Sequence, residues 1–155
     1  MPKPSEEKLS ATIPESHYDI ARGSHYAQVA ILMPNGSLAN NTVAYVWDGE
    51  FVRFSTLKSR QKYKSFVHDP RVALCISDSK NPWRYLEIRG TVELQEDTDR
   101  CFINSIAKKY MNQDVYPFDQ PEDERVTCTV RASRVRAEYV HAADGVPENI
   151  GVVRG

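Results

Sequence analysis

The sequence predicts a closed antiparallel β-barrel of about six strands, in the α+β or all-β class. Apolar and polar side chains alternate along several segments, most strictly over residues 83–94. Short turn sequences, Pro-Asn-Gly-Ser at 34–37 and Asp-Gly at 48–49, join neighbouring strands tightly. Amphipathic helical segments interrupt the strands at two places, so helices are expected at the periphery of the barrel.

The composition indicates one domain. A chain of 155 residues with 41% hydrophobic content is long enough to bury about two-thirds of its unfolded surface. We expect a flexible N-terminal arm at 1–13, the barrel domain at 14–141 and a peripheral C-terminal tail at 142–155.

Charge and hydropathy narrow the class of partner. The net charge of −1 and the pI near 6.4 give no general attraction to nucleic acid or to an anionic membrane. No apolar run approaches the ~20 residues of a membrane span, and the polar first residues do not resemble a signal peptide. A soluble, cytoplasmic protein is expected.

Each element has a local signal. Pro14 favours a helix start and Gly23 its end, and Gly90 suggests a bend or a close backbone approach in the longest strand. Asp97 or Thr98 can cap the second long helix. The predicted elements are a helix at 14–22, strands at 25–33, 38–47 and 51–56, a helix beginning near 60, strands at 71–77 and 83–94, a helix over 102–110, a polar loop at 111–124, and a last strand pair at 125–140 that changes phase near 132–133.

The usual catalytic constellations are absent from the sequence. It contains no Gly-rich phosphate loop, no nucleophile elbow and no His-Glu pair at metal spacing, and its four histidines lie on separate elements. Cys75, Cys101 and Cys128 are odd in number and far apart, which favours buried reduced thiols over disulfides or a zinc site. We therefore expect neither an acid–base hydrolase nor a metal.

The most informative stretch is the basic passage from the third strand into the following helix. Five Lys or Arg stand against one acid over residues 58–71, and three of them fall at or near the helix start. Cations are locally unfavourable there, because a helix N-terminus already carries partial positive charge. A phosphate held by Ser59, Arg60, Lys62 and the free amides would remove the conflict. A solvated basic surface is the alternative that this segment alone leaves open.

A longer pattern carries a family resemblance. The residues Phe54-Ser-Thr, Ser59-Arg-Gln-Lys-Tyr-Lys-Ser-Phe, Asp69-Pro-Arg-Val-Ala-Leu, Trp83 and Leu86-Glu-Ile-Arg-Gly-Thr-Val follow one another in register. Over residues 26–139 the chain resembles the pyridoxamine 5'-phosphate oxidase-like split-barrel flavoproteins. It is most similar to the branch that uses the deazaflavin coenzyme F-420.

This resemblance implies a six-stranded split β-barrel homodimer with two cofactor sites at the subunit interface. The implied roles are phosphate binding at the basic turn, contact with the ring from the preceding strand, an aromatic group near the ring or the dimer contact, and a substrate side on the second strand. The residues are, in that order, Lys58, Ser59, Arg60 and Lys62; Phe54, Ser55 and Thr56; Trp83, Arg84 and Tyr85; and Thr42 and Val43.

The implied activity is that of a reductase transferring hydride from F-420 to an unsaturated small molecule, the cofactor supplying the redox chemistry. Lys58, Lys64 and Arg84 favour F-420, whose tail is rich in anionic groups. Two alternatives are an FMN-binding oxidase or reductase of the same fold and a non-catalytic protein that binds the cofactor or a tetrapyrrole. Binding of single-stranded nucleic acid is disfavoured by the charge balance.

Overall fold

The strands of residues 11–139, the part of the chain that a computed structural model describes, form one antiparallel sheet. A 3-10 turn (Glu15–His17) precedes the first helix. The other elements are α1 (Tyr18–Arg22), β1 (Tyr26–Leu32), β2 (Leu38–Ala44), β3 (Val46–Trp47), β4 (Val52–Leu57), α2 (Gln61–His68), β5 (Arg71–Ser77), β6 (Arg84–Glu96), α3 (Cys101–Met111) and β7 (Arg125–Tyr139).

The sheet has the strand order β2-β1-β5-β6-β7-β4-β3 and curls into a split barrel. Every pairing is antiparallel, and the longest runs between β6 and β7. Alternate side chains of β5, at Val72, Leu74 and Ile76, are buried as predicted, because a strand with one covered face places every second residue in the core. The predicted mainly β split barrel with peripheral helices is confirmed.

The predicted strand at 38–47 is in fact two strands. Tyr45 interrupts it, because its backbone groups bond to side chains of α3 instead of to a neighbouring strand: the Tyr110 hydroxyl lies 3.2 Å from the Tyr45 N–H and 3.1 Å from its carbonyl oxygen, and Lys109 Nζ donates to the same carbonyl at 3.0 Å. The described sheet has seven strands, where the resemblance implied a six-stranded barrel.

The predicted strand pair at 125–140 is a single strand within the described residues. Arg89 pairs with Arg134 and Gly90 with Ala132, so Ser133 is an extra residue, which is a β-bulge. The predicted change of phase near 132–133 is correct, but its cause is this bulge and not a turn. Gly90 makes the close approach expected of it: a Cβ atom there would lie 1.9 Å from the carbonyl oxygen of Arg131.

Two smaller expectations differ from the structure. Ile13, assigned to the arm at 1–13, is only 8% exposed and belongs to the core. Cys128 is buried and Cys75 half-buried, but Cys101 is exposed, since it starts α3 on the solvent side; all three thiols are free. Residues 1–10 and 140–155, which include the predicted tail at 142–155 and the last residues of the predicted barrel domain, lie outside the described residues.

Helix α3 begins where local chemistry predicts. The Asp97 carboxylate accepts the backbone N–H groups of Phe102 at 3.1 Å and Ile103 at 2.9 Å, so it caps the first turn of α3. No helix among residues 11–139 is long and apolar enough to span a membrane.

Candidate functional site

A cavity of about 240 Å³ lies where the start of α2 and one face of α3 meet strands β2, β4 and β7. We refer to it as the cationic cavity. Its walls combine three cationic side chains, hydroxyl groups and an apolar surface, and they are formed by Tyr26, Thr42, Val43, Ala44, Ser55, Arg60, Lys62, Ile103, Ile106, Tyr110, Met111, Tyr116 and Arg125.

The start of α2 supplies two of the cations. Arg60 occupies the N-cap position with extended backbone (φ −86°, ψ 150°), no side chain caps the helix, and its first turn contains no acidic residue. Amide N–H groups and cations therefore share one helix end whose own first turn carries no acid, which is an arrangement suited to an anion. Arg60 and Lys62, two positions apart, both reach the cavity wall.

Lys62 is a half-buried cation without a carboxylate partner within salt-bridge distance among residues 11–139. Its ammonium lies 5.8 Å from the centre of the Phe54 ring and close to the buried Cys128 thiol. Burial lowers the pKa of Lys62 below its ordinary value of 10.5. An anion in the cavity would offset this desolvation and favour the charged form.

The third cation, Arg125, is fixed by a buried ion network. Its guanidinium and the Asp119 carboxylate have side chains only 7% and 4% exposed, and Nη2 lies 2.5 Å from Oδ1. Asp119 also accepts a hydrogen bond from Arg100 Nη1 at 2.6 Å. Hydrogen bonds from Arg125, with the charges of Arg125, Arg100 and Arg60, hold the pKa of Asp119 below its usual value. Asp119 thus places one negative charge among three guanidinium groups.

Tyrosines form the apolar end of the cavity. The Tyr26 and Tyr110 rings pack with centroids 5.4 Å apart, and the Tyr110 hydroxyl donates to the His25 carbonyl oxygen at 2.6 Å. Tyr116 packs against Arg125, whose Cζ lies 4.9 Å from the ring centroid. Such a surface can cover one side of a planar ligand.

Five predicted site residues meet in this cavity: the proposed phosphate ligands Arg60 and Lys62, the strand residue Ser55, and the substrate-side residues Thr42 and Val43. Sequence spacing alone could bring together only those near one another in the chain. Thr42 and Val43 lie on β2, which pairs with β1 and is not a neighbour of β4 in the sheet, so the curl of the sheet brings them beside Ser55.

Other predicted residues point away from the cavity. Phe54 and Thr56 face the barrel core, because they flank Ser55 on the opposite face of β4; the Thr56 hydroxyl is buried without a hydrogen-bond partner among the described residues. Lys58 pairs with Glu96 and with Glu124, the latter at 3.1 Å. Ser59 is exposed in the turn before α2 and lines a separate polar surface pocket together with Lys58.

Trp83, Arg84 and Tyr85 do not line the cavity. Trp83 directly precedes β6, and Arg84 and Tyr85 are its first residues; Arg84 bonds to both carboxylate oxygens of Asp19, at 2.6 and 2.7 Å, and to Asp78 at 3.4 Å. Hydrogen bonding to Arg84 lowers the pKa of Asp19. The Arg84 charge is thus already neutralised by carboxylates of its own chain.

Eight cavity residues are not among the predicted site residues, and four of these eight carry a hydroxyl group or a charge. Tyr26 and Arg125 were assigned only to strands, Tyr110 to the apolar stripe of α3 and Tyr116 to a loop. An isolated Arg at the start of a strand carries no sequence signal of a site. The Asp119–Arg125 spacing of six residues could have suggested an ion pair, but not its position beside α2.

The curled antiparallel sheet and the cavity beside it define a split-barrel protein. A family model described as pyridoxamine 5'-phosphate oxidase matches residues 13–141. The chain therefore belongs to the pyridoxamine 5'-phosphate oxidase family, whose fold binds FMN-type cofactors.

Solved structures agree with this assignment. An F-420 reductase shares 32% identity with the chain, with a TM-score of 0.71, covering 80% of this chain and 98% of that protein. A conserved hypothetical protein of Mycobacterium tuberculosis shares 22% identity, with a TM-score of 0.66, covering 84% of this chain and 88% of that protein. A heme-binding protein of Mycobacterium smegmatis shares 19% identity, with a TM-score of 0.56, covering 90% of this chain and 55% of that protein. The last two likenesses concern the fold alone. A search of curated protein sequences finds no significant match.

Proposed function

We propose that the protein is an F-420-dependent oxidoreductase, a reductase that transfers hydride to an unsaturated small molecule. The observation that carries the proposal is the pair Arg60 and Lys62 at the acid-free start of α2, facing one cavity with Lys62 half-buried and without a carboxylate partner among the described residues. These residues fit the phosphate of a flavin-type cofactor, since charge-assisted hydrogen bonds to phosphate are the strongest that such a site can form.

The roles of the chain's own residues follow from their positions. Arg60, Lys62 and the free amides of α2 would hold the phosphate, and Ser55 would contact the ring from β4. Thr42 and Val43, on the opposite wall, would border the substrate. The apolar residues of α3 would keep water from that end of the cavity once the cofactor is bound. When bound, a deazaflavin supplies two-electron hydride chemistry.

The size of the cavity supports a second protomer as part of the site. Small-molecule sites occupy roughly 300–1,000 Å³, whereas the cavity of one chain offers about 240 Å³. A homodimer would enlarge it, and the residues that lie elsewhere in one protomer, such as Trp83 and Tyr85, could then contribute from the partner.

FMN is the second candidate cofactor, and a specific observation favours it. Of the three cations expected to reward the anionic tail of F-420, Lys58 and Arg84 already pair with carboxylates of their own chain. Of the three, only Lys64, which is exposed on α2, forms no salt bridge among the described residues. Support for F-420 over FMN therefore comes mainly from the similarity to an F-420 reductase.

Equilibrium titration with F-420 and with FMN, followed by fluorescence quenching, tests the proposal. We expect tighter binding of F-420, and oxidation of reduced F-420 under anaerobic conditions by at least one member of a panel of activated alkenes and quinones. Tighter binding of FMN than of F-420 would favour the alternative, an FMN-binding oxidase or reductase of the same fold. Binding without oxidation would favour a carrier protein, and binding of neither cofactor would overturn the proposal.

A further inference from the structure

Lys109 on α3 has an unusual environment for a lysine. Its ammonium donates to the Tyr45 carbonyl oxygen at 3.0 Å, and it lies 4.5 Å from the centre of the Tyr45 ring and 5.2 Å from that of the Tyr110 ring. Among residues 11–139 this carbonyl oxygen is the one acceptor it has, and no carboxylate there lies within salt-bridge distance of it. Two of its three N–H donors therefore have no protein partner in the described part of the chain.

These surroundings favour the neutral amine over the ammonium. Burial lowers the pKa of Lys109 from 10.5 to about 8. The titratable groups whose rings face it, Tyr45 and Tyr110, supply no negative charge, because burial raises their own pKa values. At pH 8 about half of the Lys109 side chains are therefore unprotonated, against roughly 0.4% for an ordinary lysine.

A neutral amide suits this position better than a cation. After acylation the side-chain nitrogen keeps one N–H, which can still donate to the Tyr45 carbonyl oxygen, and the cost of burying a charge disappears. The Lys109 side chain is half-buried and not enclosed, so a small acyl donor can approach it from solvent and the acyl group can extend in the same direction.

We propose that Lys109 is a modification site, at which a small acyl phosphate acylates the side-chain nitrogen. The neutral amine attacks the carbonyl carbon of the donor and forms the amide C–N bond. The C–O bond to phosphate breaks, phosphate leaves with the bonding electrons, and the nitrogen releases its proton to solvent. The inference does not rest on the proposed function, because it requires no cofactor.

Lys108 is the matched comparison, because it precedes Lys109 in the chain but is an ordinary surface lysine. Its side chain is 61% exposed, and its Nζ lies 3.4 Å from Asp114 Oδ1. Neighbouring sequence is therefore nearly the same for the two lysines, whereas the folded environment differs.

Site-resolved acetylation of the folded wild type tests the inference. The protein is incubated with acetyl phosphate at pH 8, and peptide mass spectrometry follows the modified fraction of each lysine with time. We expect Lys109 to react at least about tenfold faster than Lys108, since its larger neutral fraction outweighs its lower basicity. In guanidinium chloride, where the protein is unfolded, the two lysines should react at the same rate.

The pH dependence of the two rates provides a second measurement. From pH 9 to pH 10 the rate at Lys108 should still rise about eightfold, because an ordinary lysine is mostly protonated there. The rate at Lys109 should rise less than about twofold, because most of its side chains are already neutral.

The melting temperature shows whether the product fits the fold. Lys109→Arg keeps a cation that acetyl phosphate does not acylate, so this variant, treated in parallel, reports the effect of acetylation at the other lysines. We expect acetylation to lower the melting temperature of the wild type no more than that of Lys109→Arg. If Lys109→Arg does not fold, the two reaction rates decide alone.

Three results would overturn the inference. Equal rates at Lys108 and Lys109 in the folded protein would show that Lys109 is not activated, and a rate difference that persists in guanidinium chloride would show that the fold is not its cause. A larger fall in melting temperature for the wild type than for Lys109→Arg would show that an acylated side chain does not fit beside Tyr45. Each of these results leaves the proposed function standing, since cofactor titration tests that separately.

Discussion

The buried carboxylate of Asp119 neutralises two guanidinium groups. It is almost fully buried and accepts bonds from Arg125 and Arg100, so removing its charge leaves two guanidinium groups without their partner. The stability of the loop between α3 and β7 and the position of Arg125 in the cavity wall both depend on it.

We predict that Asp119→Asn lowers the free energy of unfolding by about 3–5 kcal/mol, the usual cost of breaking a buried pair on one side. Chemical denaturation measures it. Asp114→Asn is the control: Asp114 is 90% exposed and pairs with Lys108 at 3.4 Å, so its loss should cost less than about 1 kcal/mol. Similar effects of the two substitutions would contradict the network described above.

Lys109 provides a prediction about pH. Its ammonium donates to the Tyr45 carbonyl oxygen at 3.0 Å and lies 4.5 Å from the centre of the Tyr45 ring. Burial lowers its pKa from 10.5 to about 8. Between pH 8 and pH 10.5 the unfolded chain therefore binds more protons than the folded one. Below pH 8 the folded protein carries the full cost of burying the charged ammonium, and this destabilisation disappears as the pH rises to 10.5.

Measured against Lys109→Met, which does not titrate at this position, wild-type stability should rise by about 1–3 kcal/mol from pH 8 to pH 10.5. Thermal unfolding at intervals across that range measures the difference. Lys108, whose side chain is 61% exposed, provides the control: the difference in stability between the wild type and Lys108→Met should stay constant over the same pH range. A constant difference between the wild type and Lys109→Met would mean that Lys109 stays hydrated.

At the scale of single elements, local patterns predicted most of the strands and helices. The alternation over 83–94 identified β6, and the turn at 34–37 joins β1 to β2, with Gly36 at φ +85°. Tyr45 was missed because its backbone partners, Tyr110 and Lys109, lie more than sixty residues away. The same holds for the site. The charges at the start of α2 indicated an anion site in the sequence, whereas Tyr26 and Arg125 are brought to the cavity only by the folding of the sheet.

Substitution of Gly90 tests whether the pairing of β6 with β7 requires a residue without a side chain. A methyl group at this position would overlap the Arg131 carbonyl oxygen beside the bulge, so Gly90→Ala should destabilise the protein by at least about 3 kcal/mol.

Gly36→Ala is the comparison for Gly90→Ala. A Cβ atom at Gly36 meets nothing within 4 Å and is disfavoured only by its positive φ, so a cost of about 1 kcal/mol is expected. Urea denaturation of both variants decides. Equal costs would mean that the strands can separate locally at Gly90.

At the scale of the whole molecule, a groove with exposed apolar residues is our candidate for the interface of the proposed homodimer. Leu38 is 79% exposed and belongs to a groove of about 490 Å³ that runs over β1, β2, β5 and β6, with apolar residues and Arg71 and Arg89 along it. Apolar patches of this kind are more common at interfaces than on free surfaces.

Sedimentation velocity should therefore give a mass of about twice 17.7 kDa, and Leu38→Glu should shift the protein towards the monomer. Val67→Glu, at a residue that is 62% exposed but outside the groove, should leave the mass unchanged. A wild type that is monomeric at micromolar concentration would contradict the proposed dimer, and a dimer insensitive to Leu38→Glu would exclude this groove as its interface.

The distribution of charge over the molecule leads to the central claim. The net charge is only −1, yet Arg60, Lys62 and Arg125 converge on one cavity, so an anionic ligand would be attracted to this point and not to the surface in general. Lys62 is the residue whose burial and lack of a carboxylate partner in the described chain distinguish it from a solvated cation.

The cofactor affinity of Lys62→Ala, compared with that of Lys64→Ala, tests this claim most directly. Lys64 lies on the same helix but is exposed and outside the cavity wall. We predict that Lys62→Ala weakens binding of F-420 or FMN by about 1–3 kcal/mol, the scale of a charge-assisted hydrogen bond, and that Lys64→Ala changes the binding of FMN, which lacks the anionic tail of F-420, by less than about 0.5 kcal/mol. Equal affinities for the wild type and Lys62→Ala would show that Lys62 does not hold the cofactor and would contradict the claim.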